Sequence, residues 1–321
     1  MTPGWDYMPT SKRVMFCGNA AFDLITSKSR RSGDFRIYAT PGGSVFNTAI
    51  FSSRLGHEVS VIAKCGADFL GDSLVDTMQK EGISTKHVVK APGIKTGLAL
   101  ATVDAKGVSS YIFYKTEGPA VRFGEKEIPG SAFKGVAVFH TGSAYSYEDH
   151  SWRDALKFVR MAKNAGAYVS YDPNWRAKRL KDEKSARKRA FLLMDNADIL
   201  KLSDSDAEGL TGGRTLDACL KKLGRGAYVT LGERGALYWD GKRKIYRQAF
   251  KVKLADTIGA GDAFSAGLIF RYSSLGKDRF LDEIMDNLTF AQAVSASACT
   301  FKGATSGFKG LSQVKTFLVQ T

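Results

Sequence analysis

The segment 256–264, with the sequence DTIGAGDAF, carries the residue types best suited to catalysis. The apolar run at 249–254 before it favours a strand, and the apolar run at 263–270 after it favours a helix. The pattern therefore predicts a glycine-rich turn in which a strand feeds a helix. Backbone N–H groups in such a turn lie at the positive end of the helix dipole, where an anion binds.

An aspartate repels an anion, so its presence in this turn needs a chemical reason. Asp262 suits a base that takes a proton from an attacking hydroxyl. The N–H groups of Gly259, Ala260 and Gly261 would meanwhile hold the charge on a transferring phosphoryl group. The alternative is a simple glycine turn in which Asp262 only caps the helix.

A second pair of glycines opens another helix, which runs to about Leu55. Gly42 and Gly43 let a ligand approach the backbone closely, and Asn47 lies one helical turn further on, where its amide can face the same ligand. Asp23 follows a first strand at 14–18, at the sheet edge where α/β proteins place binding groups. Its alternative is an ordinary turn carboxylate.

These motifs together resemble those of the ribokinase-type (PfkB) carbohydrate kinase family. Its N-terminal signature, Gly-Gly-x-x-x-Asn, is matched by 42–47, and its C-terminal signature, Asp-Thr-x-Gly-Ala-Gly-Asp, is matched by 256–262. The resemblance covers the chain from about Arg13 onward. It implies an enzyme that transfers a phosphoryl group from ATP, with Mg²⁺, to a hydroxymethyl group of a small sugar. Asp262 would be the base, and Asp23 and Asn47 would hold the sugar together with the paired glycines.

The segment 172–176, with the sequence DPNWR, directly follows a predicted strand at 167–171. The carboxyl edge of a parallel sheet is where ligands bind, and an arginine there can clamp a phosphate or sugar oxygen. The motif looks like the version found in fructokinases, with Arg176 on the sugar and Asn174 on the nucleotide side. The alternative is a proline turn with a surface arginine.

The segment 201–206, with the sequence KLSDSD, follows the next predicted strand. In ribokinase-like enzymes this place carries Asn-x-x-Glu, which acts on hydrated Mg²⁺, so the resemblance implies that Asp206 reaches the metal through water. Lys201 would neutralise ATP phosphates. The alternatives are that Asp206 caps a helix toward Leu210 and that Lys201 is an ordinary lysine at a strand end.

Two further segments resemble the nucleotide side of the family's site. Thr230, Gly232 and Gly235 match its Thr-x-Gly-x-x-Gly pattern, for which the alternative is a β-turn. Relatives hold a monovalent cation between a loop matching 302–305 and the backbone near the DTIGAGD motif. Gly307 stands where a serine is often found, which leaves such a cation only backbone carbonyls.

Strand-like and helix-like segments alternate along most of the chain, which predicts an α/β, doubly wound, mostly parallel sheet. Residues 1–12 are interpreted as a flexible leader and 13–321 as one ribokinase-like kinase domain. Short strands around 34–40 and 95–117 lack crossover helices, and the resemblance makes them a small β-sheet lid over the sugar, through which a homodimer would form.

Composition narrows the functional classes. The chain has 321 residues and a net charge of +15. No apolar run reaches the length of a membrane span, and no secretory signal opens the sequence, so a cytoplasmic protein is expected. Four scattered cysteines and four histidines without a close pair argue against a zinc site. The densest basic stretch, 176–189, is interpreted as a solvated helix face that binds nucleic acid only nonspecifically.

The substrate is the least determined part of this interpretation. The motifs favour a fructose-like sugar. Relatives with similar motifs phosphorylate 2-keto-3-deoxygluconate, aminoimidazole riboside or other nucleosides. A non-catalytic basic binding protein of the same fold is a further alternative, which the intact Asp262 opposes.

Overall fold

The computed structural model describes residues 12–28, 35–103, 109–114, 121–177 and 180–319. The strands in chain order are β1 (Arg13–Cys17), β2 (Ala21–Lys28), β3 (Phe35–Gly42), β4 (Glu58–Gly66), β5 (Ser84–Ala91), β6 (Gly97–Val103), β7 (Ser109–Tyr114), β8 (Val136–Gly142), β9 (Tyr168–Asp172), β10 (Ile199–Ser203), β11 (Ala227–Thr230), β12 (Ala236–Trp239) and β13 (Lys244–Arg247). The helices are α1 (Ser44–Arg54), α2 (Phe69–Lys80), α3 (Trp152–Asn164), α4 (Glu183–Asp195), α5 (Asp204–Thr211), α6 (Leu216–Leu223), α7 (Ala260–Leu275), α8 (Lys277–Asp282), α9 (Ile284–Cys299) and α10 (Leu311–Leu318).

Nine strands form the main sheet in the order β13-β12-β11-β10-β9-β8-β1-β4-β5. The seven strands from β11 to β5 are parallel, and β12 and β13 extend one edge antiparallel. The predicted α/β, mostly parallel sheet is therefore confirmed. Its carboxyl edge gathers the loops that follow β1, β8, β9 and β10.

Helices cover both faces of the sheet, as a doubly wound fold requires. Along β1, Met15 and Cys17 pack into a core with residues of α3, α4 and α6. Val14 and Phe16 point to the other face and pack with residues of α1, α2, α7 and α9. This alternation follows from the two-residue period of a strand.

A separate sheet of four strands has the order β3-β2-β6-β7. The sequence predicts lid strands around 34–40 and 95–117; β3, β6 and β7 are these strands, while residues 34, 104–108 and 115–117 lie outside the described part of the chain. The fourth strand, β2, was not predicted. Asp23 lies on it and pairs with Thr40 of β3, so the lid itself carries this carboxylate.

The predicted strand at 249–254 is wrong. β13 ends at Arg247, and no strand lies between it and α7. The backbone N–H groups of Ala255 and Asp256 donate instead to the carbonyl of Cys299, at the end of α9. The apolar run serves another purpose, because the Phe250 ring packs edge-on against Phe317 of α10. A loop, rather than a strand, therefore leads into α7.

Among the described residues, no helix combines the length and apolar character needed to cross a membrane.

Candidate active site

The two glycine motifs meet in space although they lie more than 200 residues apart. The hydroxyl of Ser44 donates a hydrogen bond of 2.6 Å to Oδ1 of Asp262. The amide Nδ2 of Asn47 donates one of 2.9 Å to Oδ2 of the same carboxylate. The first turns of α1 and α7 are thus joined through one buried aspartate.

Both helices begin at a glycine that no other residue would replace without strain. Gly43 has a φ of 105° and Gly259 a φ of 81°, a region that favours glycine. A Cβ on Gly43 would lie 2.8 Å from the carbonyl oxygen of Asn19, and one on Gly259 would lie 2.7 Å from that of Ala304. The close approach of each helix start to a neighbouring backbone carbonyl therefore depends on its glycine. α7 begins with Ala260 and Gly261, whose N–H groups lie at the positive end of its dipole.

Burial raises the pKa of Asp262 to about 6 from an ordinary value of 3.8, and the nearby Asp172 carboxylate adds to the rise. The hydrogen bonds from Ser44 and Asn47 and the charge of Lys201 act in the opposite direction. A carboxylate with this pKa is ionised at neutral pH and is also a stronger proton acceptor than an exposed aspartate.

Lys201 lies beneath the same turn. Its ammonium forms an ion pair of 2.9 Å with Oδ2 of Asp172, and both side chains are buried. A Cβ on Gly261 would come within 2.9 Å of Lys201 Nζ, so the ammonium contacts the start of α7. Burial alone would lower the pKa of Lys201, but the carboxylates of Asp172, Asp206 and Asp262 outweigh it and raise the pKa. The lysine is therefore a fixed positive charge at this place.

A cavity lies between the lid and the carboxyl edge of the main sheet. Its walls include Asp23, Gly43, Ser44, Lys64, Phe113 and Tyr145. A Cβ on Gly42 would fall 2.1 Å from Oδ2 of Asp23, so this glycine leaves the space that the carboxylate occupies. Burial raises the pKa of Asp23 to about 6.

Only part of the DPNWR segment lies near this site. Asn174 has a φ of 41°, and its N–H donates to Oδ1 of Asp172 at 3.1 Å. Arg176 is exposed, and its guanidinium donates a long hydrogen bond of 3.4 Å to the carbonyl of Trp175. Neither Asn174 nor Arg176 lines the cavity. The structure therefore does not bring Arg176 to the place where the sequence predicts it.

The carboxylate of Asp206 accepts hydrogen bonds from backbone N–H groups. Its Oδ1 accepts from the N–H of Trp175 at 2.6 Å and its Oδ2 from the N–H of Ser203 at 2.8 Å. The Ser203 hydroxyl accepts in return from the N–H of Asp206, which completes a capping box at the start of α5. Asp206 is also buried, and a role toward a metal through water stays a prediction. In the part of the chain that the structure describes, no cluster of three or more His, Cys, Asp or Glu side chains could hold a metal ion.

The predicted nucleotide segment forms the connection between β11 and β12. Thr230 ends β11, and Gly232 and Gly235 have φ values of 62° and 107°. A Cβ on Gly235 would lie 2.2 Å from the carbonyl oxygen of Arg247 on β13. The β-turn interpretation is therefore correct, and contact with a nucleotide remains a prediction for all three residues.

The loop at 302–305 lies against the start of the DTIGAGD motif. Oδ2 of Asp256 accepts from the N–H of Gly303 at 2.9 Å, and its Oδ1 accepts from the N–H of Ile258 at 3.0 Å. A Cβ on Gly307 would lie only 1.8 Å from Cγ of Phe301. The phenyl ring thus fills the space that a serine side chain would need.

Sequence reasoning missed the role of Ser44. It lies three residues before Asn47, so both side chains occupy the same face of α1. That spacing, together with a hydroxyl next to the paired glycines, was the available signal. Asp172 was recognised only as part of its motif, and its pairing with Lys201 could not be read from a separation of 29 residues.

The chain is similar to known carbohydrate kinases in sequence and in fold. The pattern described as pfkB family carbohydrate kinase matches residues 11–309. Fructokinase-1 of Zea mays is 34% identical over 273 residues, which are 82% of this chain and 84% of that protein. A fructokinase double mutant from Vibrio cholerae, solved with fructose, ADP and a potassium ion, superposes with a TM-score of 0.84 at 26% identity, covering 97% of this chain and 100% of that one. The aminoimidazole riboside kinase of Salmonella enterica, solved with aminoimidazole riboside and an ATP analogue, superposes with a TM-score of 0.80 at 25% identity, covering 96% and 100%.

Proposed function

Because the chain belongs to the pfkB family of carbohydrate kinases, we propose that it transfers the γ-phosphoryl group of ATP to a hydroxymethyl group of a fructose-like sugar. The observation that carries this proposal is the position of Asp262 at the start of α7, where Asn47 and Ser44 hold it and Ser44 itself lines the lid cavity. The fructokinase relatives support fructose as the acceptor.

In this proposal the sugar lies in the lid cavity, with Asp23 accepting hydrogen bonds from its hydroxyls. Asp262 accepts the proton of the attacking hydroxyl as the oxygen–phosphorus bond forms. The N–H groups of Gly259 and Gly261 and the charge of Lys201 stabilise the charge on the phosphoryl group. The N–H of Ala260 donates to the carbonyl of Thr257 at 3.2 Å and would join them only on leaving that partner. The lid would exclude water, which otherwise competes with the sugar as the nucleophile.

Mg²⁺ would neutralise charge on the phosphates when it arrives with ATP. Asp206 is buried and each of its oxygens already accepts a backbone hydrogen bond, so we propose that it acts on the metal through a bridging water and not as a direct ligand. The nucleotide itself would lie along Thr230, Gly232 and Gly235, on the far side of the α7 turn from the lid, with Asn174 beside the phosphates.

One feature of the cavity favours a second class of acceptor. Phe113 and Tyr145 place aromatic rings in its walls, and such rings stack on a heterocyclic base. A riboside such as the ligand of the Salmonella kinase is therefore the leading alternative acceptor. Arg176 would contact the acceptor only if its exposed side chain moved toward the cavity.

The experiment is a coupled assay of ADP release with fructose, ribose, 2-keto-3-deoxygluconate, aminoimidazole riboside and common nucleosides. The proposal expects the highest kcat/KM with fructose. A higher kcat/KM with a riboside would move the substrate to the alternative class. No ADP release with any acceptor would reject the kinase activity itself and favour a binding protein.

A homodimer through the lid is part of the same proposal. The register places a row of apolar side chains on the lid face opposite to Asp23. These residues are Leu24, Ile37, Leu100, Ile112 and Tyr114. Ile37, Ile112 and Tyr114 are each at least half exposed, and a second copy of the same face would cover them. Light scattering should give twice the 34.9 kDa chain mass, and Ile112→Lys should reduce it to one chain.

The cysteines support the cytoplasm as the compartment. Cys17, Cys65 and Cys219 are buried free thiols, which is typical of proteins in a reducing environment.

A further inference from the structure

Ser44 presents to the base the same chemical group that the enzyme would phosphorylate. The serine side chain is a primary alcohol, and its hydroxyl donates to Oδ1 of Asp262 at 2.6 Å. The same residue lines the lid cavity, where the sugar would bind. The hydroxyl of Ser44 therefore occupies the position that the acceptor hydroxyl needs for proton transfer.

The two donors to Asp262 differ in how readily they can be displaced. Asn47 is 4% exposed, and its amide must keep a fixed orientation to hold Oδ2. Ser44 is only partly buried at the cavity wall, and rotation about its single χ1 angle moves the hydroxyl away. Oδ1 is therefore the oxygen that can exchange partners, and Oδ2 is the one that stays fixed.

We propose that Ser44 is a positioning residue that holds Oδ1 of Asp262 until the sugar hydroxyl displaces it, and that it thereby keeps the base from activating water. The inference rests on the proposed kinase function. When no sugar is bound, a water molecule at Oδ1 would be the competing nucleophile on ATP. The serine hydroxyl takes that place, and its carbon framework, fixed in the first turn of α1, keeps it from attacking in line.

The same contact affects the acidity of the base. The hydrogen bond from Ser44 lowers the pKa of Asp262 against the effect of burial. Without the hydroxyl, Asp262 would take up a proton at a higher pH. A serine that served only the structure of α1 would not alter the hydrolysis of ATP by water.

The test compares Ser44→Ala with Ser44→Thr, which retains a hydroxyl, and with Thr48→Val. Thr48 lies on the next turn of α1 and donates to the carbonyl of Ser44, so its variant controls for loss of a hydroxyl from this helix. ADP release is measured first without sugar. We expect Ser44→Ala to raise this background about tenfold, the scale of one hydrogen bond to a charged group. Ser44→Thr should stay near wild type, and so should Thr48→Val.

The second measurement is the pH dependence of kcat/KM with saturating ATP. The acid limb of Ser44→Ala should move to higher pH, while that of Thr48→Val should not. A wild-type background in Ser44→Ala would overturn the proposal, wherever its acid limb lies. Because the background is measured without sugar, it tests the role of Ser44 separately from the sugar-dependent release that tests the proposed function.

Discussion

Lys201 and Asp172 form a buried ion pair of 2.9 Å directly beneath the first turn of α7. β10 carries the lysine at its middle residue, and the neighbouring strand β9 ends at the aspartate. Ser265 of α7 donates to the same Asp172 oxygen at 3.3 Å. The pair thus fixes the sheet edge to the helix that carries Asp262.

Replacing one partner of this pair should destabilise the fold. Lys201→Met leaves Asp172 as an uncompensated buried charge, which typically costs about 3–5 kcal/mol. Urea unfolding of wild type and variant checks the loss. The double variant Lys201→Met/Asp172→Asn removes both charges and should lose less. If Lys201→Met unfolds at the same urea concentration as the wild type, Lys201 does not stabilise the buried charge of Asp172.

Activity should depend on pH through Asp262. A base must be unprotonated to accept a proton, so kcat/KM should rise with pH and level off above about 6, the pKa to which burial raises this carboxyl. Asp23 has a similarly raised pKa, so Asp23→Asn is the control that isolates Asp262. An acid limb near the ordinary aspartate value of 3.8 would contradict the buried environment described for the base.

Replacing Gly42 should change the KM for the sugar and not the KM for ATP. The Cβ of Gly42→Ala would overlap Oδ2 of Asp23 and force the carboxylate to move. Loss of its hydrogen bonds to the sugar should raise the sugar KM about tenfold and leave the ATP KM near wild type. Gly130→Ala is a matched control, because a Cβ there meets no neighbouring atom. Equal increases in both KM values would place Asp23 outside the sugar site.

Much of this site could be predicted because it depends on local backbone chemistry. Gly43 and Gly259 start helices at positive φ, and the positions of Asn47 and Asp262 follow from helical spacing. The contact between Ser44 and Asp262 depends instead on how two distant helices pack, which a single sequence does not report.

The wrong or incomplete predictions have physical causes. The run at 249–254 has the composition of a strand, but Phe250 packs on α10 and the backbone bonds to the end of α9. Asp206 has a residue type suited to a metal, yet its backbone partners come from β10 and from Trp175, a residue 31 positions away. β2 was missed although its antiparallel partner β3 is the next strand along the chain; only its parallel partner β6 is distant in sequence.

Potassium should stimulate the enzyme only weakly. Gly307 supplies no hydroxyl oxygen, and the Phe301 ring fills the space beside it, so a cation in this loop would lack the ligand that a serine at this position gives. Rates in potassium chloride and in tetramethylammonium chloride at equal ionic strength give the comparison. Strong activation by potassium alone would mean that backbone oxygens suffice for a monovalent cation site.

The most direct test of the account is Asp262→Asn, assayed for sugar-dependent ADP release and for ATP binding by calorimetry. The amide has the same shape and cannot accept the proton as a carboxylate does, so kcat should fall by about 10²–10⁴. ATP affinity should remain near wild type, because the N–H groups at the start of α7 are unchanged. A variant that keeps more than roughly a tenth of the wild-type kcat would contradict the assignment of Asp262 as the base.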